Sequence, residues 1–405
     1  KFYKIIALKQ LRVNPLTCYS ASNTIPEKYL MSSMKLYTIF FQILIYIIFF
    51  SIFISSCNNN SKEEISCNEP PLSIKNNSYD NFKDIGLTPQ KHPQGVGRDA
   101  VAYADFNQDG LIDIFTATLT YWPATTIEAA TDSKFEFYIK SCSGEFEKKE
   151  NYISSNDTCI HPRKALINDF NNDDIPDIFV VCHGYDENPF PGEKNKVLIS
   201  NSLGSYNIID ASSDIGFFHS GSSYDYNKDG YKDVLLLDSN NSNKIIFFKN
   251  NGDGSFQNDG SSRSPTVVAN KAYYTTELID INNDLYLDLF IGGHEWESNS
   301  NTQIFINPGT DNFSNVMPDN ISSVSNEGVV LDFTVTKKES STYIWVLRTS
   351  GGDGTFYKSR TIQKVSWPSL TLSTPIMDRN LNWIPWIIPS VINGENVITS
   401  DNQDS

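Results

Sequence analysis

The sequence predicts an all-β fold, a β-propeller of about six to seven four-stranded blades, and three observations carry that prediction. A nine-residue segment, Asp-x-Asn-x-Asp-x-x-x-Asp, occurs four times. Its copies recur at spacings of 64, 56 and 55 residues, and a fixed period of this length is the signature of a repeat architecture. Between the copies lie short β-branched and aromatic runs separated by Gly- and Asn-containing turns, which read as strands joined by hairpins.

The four copies align without gaps as Asp105–Ile114, Asp169–Ile178, Asp225–Val234 and Asp280–Leu289. Two worn copies continue the series, Asp332-Phe333 and Asp378–Ile387, the second keeping Asn380 and Pro385 in register with Asn171 and Pro176. A second landmark follows each copy, a Gly turn before an aromatic: Ser143–Phe146, Gly204–Tyr206, Asn251–Phe256, Gly309–Phe313 and Gly351–Phe356. Runs such as VLIS, KIIFFK, TQIFI and YIWVL flank these turns. A unit of about 55 residues with four short strands has the size of a propeller blade.

The spacing of oxygen donors in each loop points to calcium. A hard cation of this kind takes six to eight oxygens at about 2.3–2.6 Å. Positions 1, 3, 5 and 9 offer side chains, and position 7 offers its carbonyl. The expected ligands are therefore Asp105, Asn107, Asp109, Leu111 and Asp113 in the first loop, and Asp169, Asn171, Asp173, Ile175 and Asp177 in the second. The third offers Asp225, Asn227, Asp229, Tyr231 and Asp233, and the fourth Asp280, Asn282, Asp284, Tyr286 and Asp288. Position 6 turns sharply and favours Gly. Gly110 and Gly230 meet this, Asp174 is tolerable, and Leu285 is a departure. An EF-hand is excluded, since its position 12 is a bidentate Glu and here it is Thr116, Val180, Leu236 or Ile291. Three carboxylates in one turn repel one another unless a cation lies among them. The expectation is about four structural Ca²⁺ sites.

At this point the sequence resembles the FG-GAP/VCBS repeat proteins, which include the propeller of integrin alpha chains. The resemblance covers about 80% of the chain, residues 78–405. It implies calcium loops at one end of the blades. Family propellers commonly have seven blades and six marks are visible, so either a strand around Asn81–Ile85 completes the ring or the chain is truncated at its C-terminal end.

Residues 1–30 read as upstream sequence, with Met31 and Met34 as candidate starts. From Lys35 to Ile54 runs an apolar stretch broken only by Thr38, Gln42 and Ser51, ending in Ile54-Ser55-Ser56-Cys57. A basic flank, an apolar run and small residues before a cleavage point make up a secretory signal. The Cys57 junction resembles a bacterial lipobox, departing from it at Ile54 and Ser56. Residues 31–57 are thus a signal peptide with lipidation at Cys57, or alternatively an uncleaved anchor, being about 19 apolar residues long. Residues 58–77 are polar, rich in Asn and Ser, and read as a flexible linker. Either reading exports the rest, to a bacterial outer membrane or cell surface. Export permits disulfides: Cys142 and Cys159 could bridge a loop, whereas Cys182, in the run IFVVC, reads as simply buried.

The formal net charge of −16 leaves no basic face for nucleic acid. Twelve of those charges are the loop aspartates, so the acidity is directed at metal. No nucleophile elbow, HExxH, P-loop or dinucleotide fingerprint is present. Carrying over the family's strand order, His161, His183, His219 and His294 fall at the end away from the loops. His183 and His294 each follow the first Asp of a loop by fourteen residues. With Arg163 and Tyr185 they form the candidate ligand-binding face. The chain is read as a membrane-anchored surface binding or adhesion module for an extracellular or periplasmic glycan or protein ligand, without chemistry of its own. The alternative is an exported carbohydrate-active enzyme, a lyase or hydrolase, using the His-rich face.

Overall fold

The computed structural model describes residues 98–399 apart from 121–125, 202–203, 339, 374, 379–382 and 393–394. The signal or anchor at 31–57, Cys57, the linker at 58–77 and the strand expected near Asn81–Ile85 lie outside the described residues. Among the described residues no helix is long and apolar enough to cross a membrane.

Successive strands pair antiparallel, in chain order, into four-stranded blades. Blade 1 holds β1 (Arg98–Ala104), β2 (Asp113–Thr118), β3 (Lys134–Lys140) and β4 (Phe146–Lys148). Blade 2 holds β5 (Pro162–Asn168), β6 (Asp177–Cys182), β7 (Lys196–Ser200) and β8 (Tyr206–Asp210). Blade 3 holds β9 (Phe218–Tyr224), β10 (Asp233–Asp238), β11 (Ile245–Asn250) and β12 (Phe256–Gly260). Blade 4 holds β13 (Tyr273–Ile279), β14 (Asp288–Gly293), β15 (Gln303–Phe305) and β16 (Asp319–Asn320). Blade 5 holds β17 (Val329–Lys338), β18 (Ser341–Thr349), β19 (Arg360–Trp367) and β20 (Thr371–Leu372), with β21 (Ile376–Asp378) also paired to β19. A two-stranded sheet, β22 (Ile388–Ile392) and β23 (Glu395–Thr399), follows.

The blades cannot stand alone, because each second strand is buried on both faces. β2, β6, β10 and β14 have no exposed residue. Alternation with a period of two sends their side chains to two different cores. Ile178, Val180 and Cys182 pack with Phe115 and Phe137 of blade 1. Phe179 and Val181 pack with Val234 and Leu236 of blade 3. Leu235 and Leu237 meet Leu289 and Ile291 of blade 4, and Phe290 meets Phe333, Ile344 and Val346 of blade 5. Every main core is therefore an interface between neighbouring blades. The innermost strands β1, β5, β9, β13 and β17 stand side by side in that order. β22 and β23 stand against β17, and Trp386 meets Tyr103 of β1 edge-on at 5.9 Å.

The structure corrects the expected blade count: among the described residues it has five four-stranded blades, not six to seven. Two physical reasons account for the difference. Asp332-Phe333 lies inside β17, where Asp332 is the ladder partner of Leu347, so the fifth blade turns by a tight hairpin after Lys338 and has no acidic loop. The Asp378 copy starts at the end of β21, but β21 pairs with β19 of blade 5, which leaves only β22 and β23 in a sheet of their own.

The aspartate at loop position 9 is fully buried in all four acidic loops, as Asp113, Asp177, Asp233 and Asp288. Each opens the second strand and accepts two backbone N–H groups. One comes from loop position 2 (Phe106, Phe170, Tyr226, Ile281) at 2.8–3.2 Å. The other comes from the end of the third strand (Lys140, Ser200, Asn250) or just past it (Asn307) at 2.7–2.9 Å. Removing the carboxylate orphans two buried donors, at about 1–3 kcal/mol each. Asp233→Ala is expected to lose about 2–6 kcal/mol of stability in denaturant titration, and Asp233→Asn, which keeps one acceptor, to lose less. A midpoint unchanged in both variants would contradict this role.

Candidate functional site

At one end of blades 1–4 the acidic loops share one geometry. The position-1 carboxylate accepts the N–H groups of positions 5 and 6: Asp105 from Asp109 and Gly110, Asp169 from Asp173 and Asp174. Asp225 does the same for Asp229 and Gly230, and Asp280 for Asp284 and Leu285. Position 5 in turn accepts the N–H of position 7 (Leu111, Ile175, Tyr231, Tyr286) at 2.8–3.1 Å. Position 6 has positive φ throughout, including Asp174 at 65° and Leu285 at 72°. The departure at Leu285 thus leaves the turn intact. Position 4 has positive φ as well, at Gln108, Asn172, Lys228 and Asn283. No glycine announces it. Gln108 and Asn172 reach across to carbonyls of the next loop, at Asp174 and Gly230.

The donor set fits a hard cation. Each loop carries three carboxylates, an amide oxygen and a free-standing carbonyl, and each carboxylate oxygen has lone pairs beyond the N–H it accepts. Burial, helped by the neighbouring charges of positions 5 and 1, pushes the carboxyls of Asp113 and Asp233 up to about 6. Asp177 is raised equally, by burial and Asp173, and Asp288 is raised for the same reasons. These carboxylates sit where added positive charge would be welcome. Lys249 reaches the position-5 carboxylate of the third loop, its Nζ 3.1 Å from Asp229 Oδ2.

The first strands enclose a cavity of about 1130 Å³ that reaches from Tyr103, Ile167, Ser223 and Ile279, just before the loops, to His161, His219 and His294 at the opposite end. Four of its lining residues, His161, His219, Tyr274 and His294, belong to a longer row of rings. His161 and His183 have centroids 4.0 Å apart, His183 and His219 4.8 Å, and His219 and Tyr274 5.0 Å. Tyr274 and His294 follow at 4.4 Å, and His294 stacks on Trp296 at 4.6 Å. Arg163 approaches His161 Nε2 at 3.4 Å. The row therefore unites His161, Arg163, His183, His219 and His294 at one end. Burial lowers the imidazole pKa of His183 and His219 well below the ordinary value, with neighbouring histidines and Arg163 adding to the effect, and burial also lowers His294. Burial thus favours the neutral form of these three rings. Deeper in the cavity Lys164 pairs with Glu277 across β9, and Ser222 donates to the same carboxylate. Burial and the charge of Glu277 push Asp332, also on the wall, well above the carboxylate range.

Tyr185 does not join this wall. It is buried against Leu119 instead, with its hydroxyl 3.4 Å from Glu187. Tyr274, Phe217, Tyr357 and Trp383 line the cavity and went unnamed in the sequence reading. A signal for Tyr274 was present: Arg163, His219 and Tyr274 each precede the first Asp of their loop by six residues, and each is the second residue of its blade's first strand. The cysteine pairing also differs from the expected burial of Cys182. Cys159 and Cys182 form a disulfide with Cα atoms 6.2 Å apart, a separation that suits the bond. Cys142 is likewise disulfide-bonded. The Cys159–Cys182 link ties the segment before β5 to the end of β6, next to His161 and His183.

The protein is thus a β-propeller with acidic loops at one end of its blades and a row of histidine and aromatic rings at the other, joined by a cavity along its first strands. Residues 225–291, the third loop through β14, match the family model of the FG-GAP-like repeat. That match falls on one blade unit, and the same acidic loop recurs on three more, so the β-propeller carries an FG-GAP-like repeat. No curated protein matches it. Among solved structures it is similar to PorZ, described as an essential bacterial surface component of the type-IX secretion system of Porphyromonas gingivalis, at 10% identity and a TM-score of 0.40. That likeness covers 72% of this chain and 39% of the PorZ chain.

Leu285 gives the loops a direct test. Its side chain is 91% exposed, so it packs against little, while its backbone is in the left-handed region. That conformation costs a non-glycine residue about 1–2 kcal/mol, and glycine returns about 0.5–1 kcal/mol of it as unfolded-state entropy. Leu285→Gly is expected to gain about 0.5–1 kcal/mol in thermal or chemical unfolding. A loss of stability would contradict the loop geometry.

Proposed function

We propose that this propeller is an exported, calcium-braced binding module, held at a bacterial outer membrane or cell surface through its N-terminal segment, with Cys57 as the lipidated residue. The observation that carries the binding role is the continuous row of rings from His161 to Trp296, of which His161, His219, Tyr274 and His294 line an open cavity that also presents Arg163. Flat aromatic faces with a few convergent polar groups are what a ligand pocket offers. Tyr274, Tyr357 and Trp383 suit the apolar faces of sugar rings or peptide side chains, and Arg163 suits an acidic group. The disulfides support export, since such bonds persist in oxidising compartments.

Calcium, in this reading, is structural. Bound in the four loops it would supply positive charge among carboxylates that are crowded together. Asp105, Asp169, Asp225 and Asp280 hold the loop backbone, and the position-9 aspartates tie it to the third strand, so a bound cation would brace the join between first and second strands. The brace lies at the end opposite the row of rings. It affects binding only through the rigidity of the first strands.

Two measurements test this. Melting the protein in millimolar calcium and again in excess EDTA is expected to show a markedly lower midpoint on chelation; equal midpoints would refute the brace. Glycan and peptide arrays probed with the exported part of the chain are expected to yield a ligand whose binding weakens at least about tenfold in Tyr274→Ala, roughly the 1.4 kcal/mol that one aromatic contact can carry. Turnover of the bound glycan would instead support the hydrolase or lyase reading.

A further inference from the structure

We propose that His161, His183 and Asp186 form a transition-metal site, suited to zinc, in the wall of the cavity. It lies beside the ligand seat proposed above but does not rest on it, and it is chemically distinct from the calcium loops. Among the described residues, two groups of three or more His, Cys, Asp or Glu side chains bring their ligand atoms within 4.8 Å of one another, and both are at this end of the propeller. One comprises Cys159, Cys182 and Glu193, whose sulfurs are consumed by the disulfide. The other is His161, His183 and Asp186.

His183 is the key to the site. Its side chain is completely buried. Its Nδ1 lies 2.8 Å from the carbonyl oxygen of Gly184, and because a carbonyl can only accept, Nδ1 carries the proton. The lone pair is therefore on Nε2. That atom is buried and has no hydrogen-bond partner; the nearest carboxylate oxygen, Asp186 Oδ2, is 3.7 Å away. An unpaired buried acceptor costs about 1–3 kcal/mol. An imidazole fixed by an Nδ1–H···O=C bond, with Nε2 aimed at a second histidine and a carboxylate, is the arrangement a metal-ligating histidine takes.

The surroundings hold the group in place. The Glu193 carboxylate accepts N–H groups from Ile160, His161 and Gly184 at 2.8–2.9 Å, so one side chain fixes both histidine-bearing segments. The His183 N–H bonds the His161 carbonyl at 3.1 Å, and the Cys159–Cys182 disulfide closes the same junction. Two imidazoles and one carboxylate favour a borderline metal such as zinc over calcium, and three protein ligands leave a fourth position open. His161 and Asp186 face the cavity, so that position opens towards it. Ligand atoms around a tetrahedral zinc lie about 3.3 Å apart, given metal–ligand distances near 2.0–2.2 Å, so the three groups need to close by about an ångström. Arg163, at 3.4 Å from His161 Nε2, makes a bond at the long end of the range and is free to turn to an anion held on the metal.

The test uses the untagged, metal-stripped chain in saturating calcium, titrated with Zn²⁺ by calorimetry and with Co²⁺ by visible absorption. One equivalent of Zn²⁺ is expected, with a Co²⁺ spectrum of tetrahedral intensity. His183→Gln is expected to weaken zinc binding by about 100-fold or more, beyond the 10–100-fold that loss of an outer-shell partner costs. Asp186→Asn, on a half-exposed loop where folding is not at stake, is expected to weaken it and alter the cobalt spectrum. Asp229→Ala, in a calcium loop, is expected to leave zinc binding unchanged. Absence of a stoichiometric site in the wild type, or wild-type affinity in both Asp186→Asn and a folded His183→Gln, would overturn the proposal. Because the readout is metal binding itself, failure here is separate from failure of the glycan or peptide screen.

Discussion

A single buried carboxylate organises each of the first four blades. The aspartate at the start of the second strand accepts one N–H from the loop behind it and one from the far end of the third strand, so it joins three strands at a point where no ladder hydrogen bond could. The same side chain is the last donor of the acidic loop. Folding and the proposed cation site therefore share a side chain, and burial beside other carboxylates raises the carboxyl pKa of Asp113, Asp177 and Asp233 to about 6. Blade 5 shows the alternative: Asp332 accepts the N–H of Ile387 at 2.7 Å, a link to the segment that follows and not to its own third strand.

The second constraint is that a blade has no private core. Alternate residues of β6, β10 and β14 are committed to different neighbours, so stability builds by stacking, as in other repeat architectures. Stacking also brings equivalent first-strand positions around one cavity. Arg163, His219 and Tyr274 share a register position but not a chemistry. Repetition supplies the frame, and divergence at the repeated position supplies a surface with cation, imidazole and phenol in series. With acidic loops at one end and this row at the other, the proposed brace and the proposed ligand seat lie apart.

Much of this was legible in the sequence, for physical reasons. Loop ligands at fixed spacing and hairpin turns are local signals, and they led directly to the blades and to the end of the molecule at which His161, His183, His219 and His294 meet. What stayed hidden depended on tertiary context. The Asp332-Phe333 pair resembled a loop but sits in a strand ladder, and the count of blades went astray with it. Leu285 adopts positive φ because the loop hydrogen bonds from the N–H groups of Asp284, Leu285 and Tyr286 to the carboxylates of Asp280 and Asp284 require it, overriding its own preference. Tyr185 looked like part of a polar binding loop and is instead buried against Leu119. The Cys159–Cys182 bridge joins residues 23 apart in sequence that only the β5–β6 pairing brings together, and the lone pair of His183 becomes visible only once Gly184 is seen to take its proton.

Calcium bracing is the claim on which the account most depends, and counting the ions tests it most directly. Equilibrium dialysis of the metal-stripped chain against radioactive calcium should give four ions per molecule. Asp109→Ala, Asp173→Ala and Asp229→Ala should each remove one. No bound calcium at millimolar concentration, or a count unaffected by these substitutions, would contradict the account and leave the acidic loops as turns held by their own hydrogen bonds.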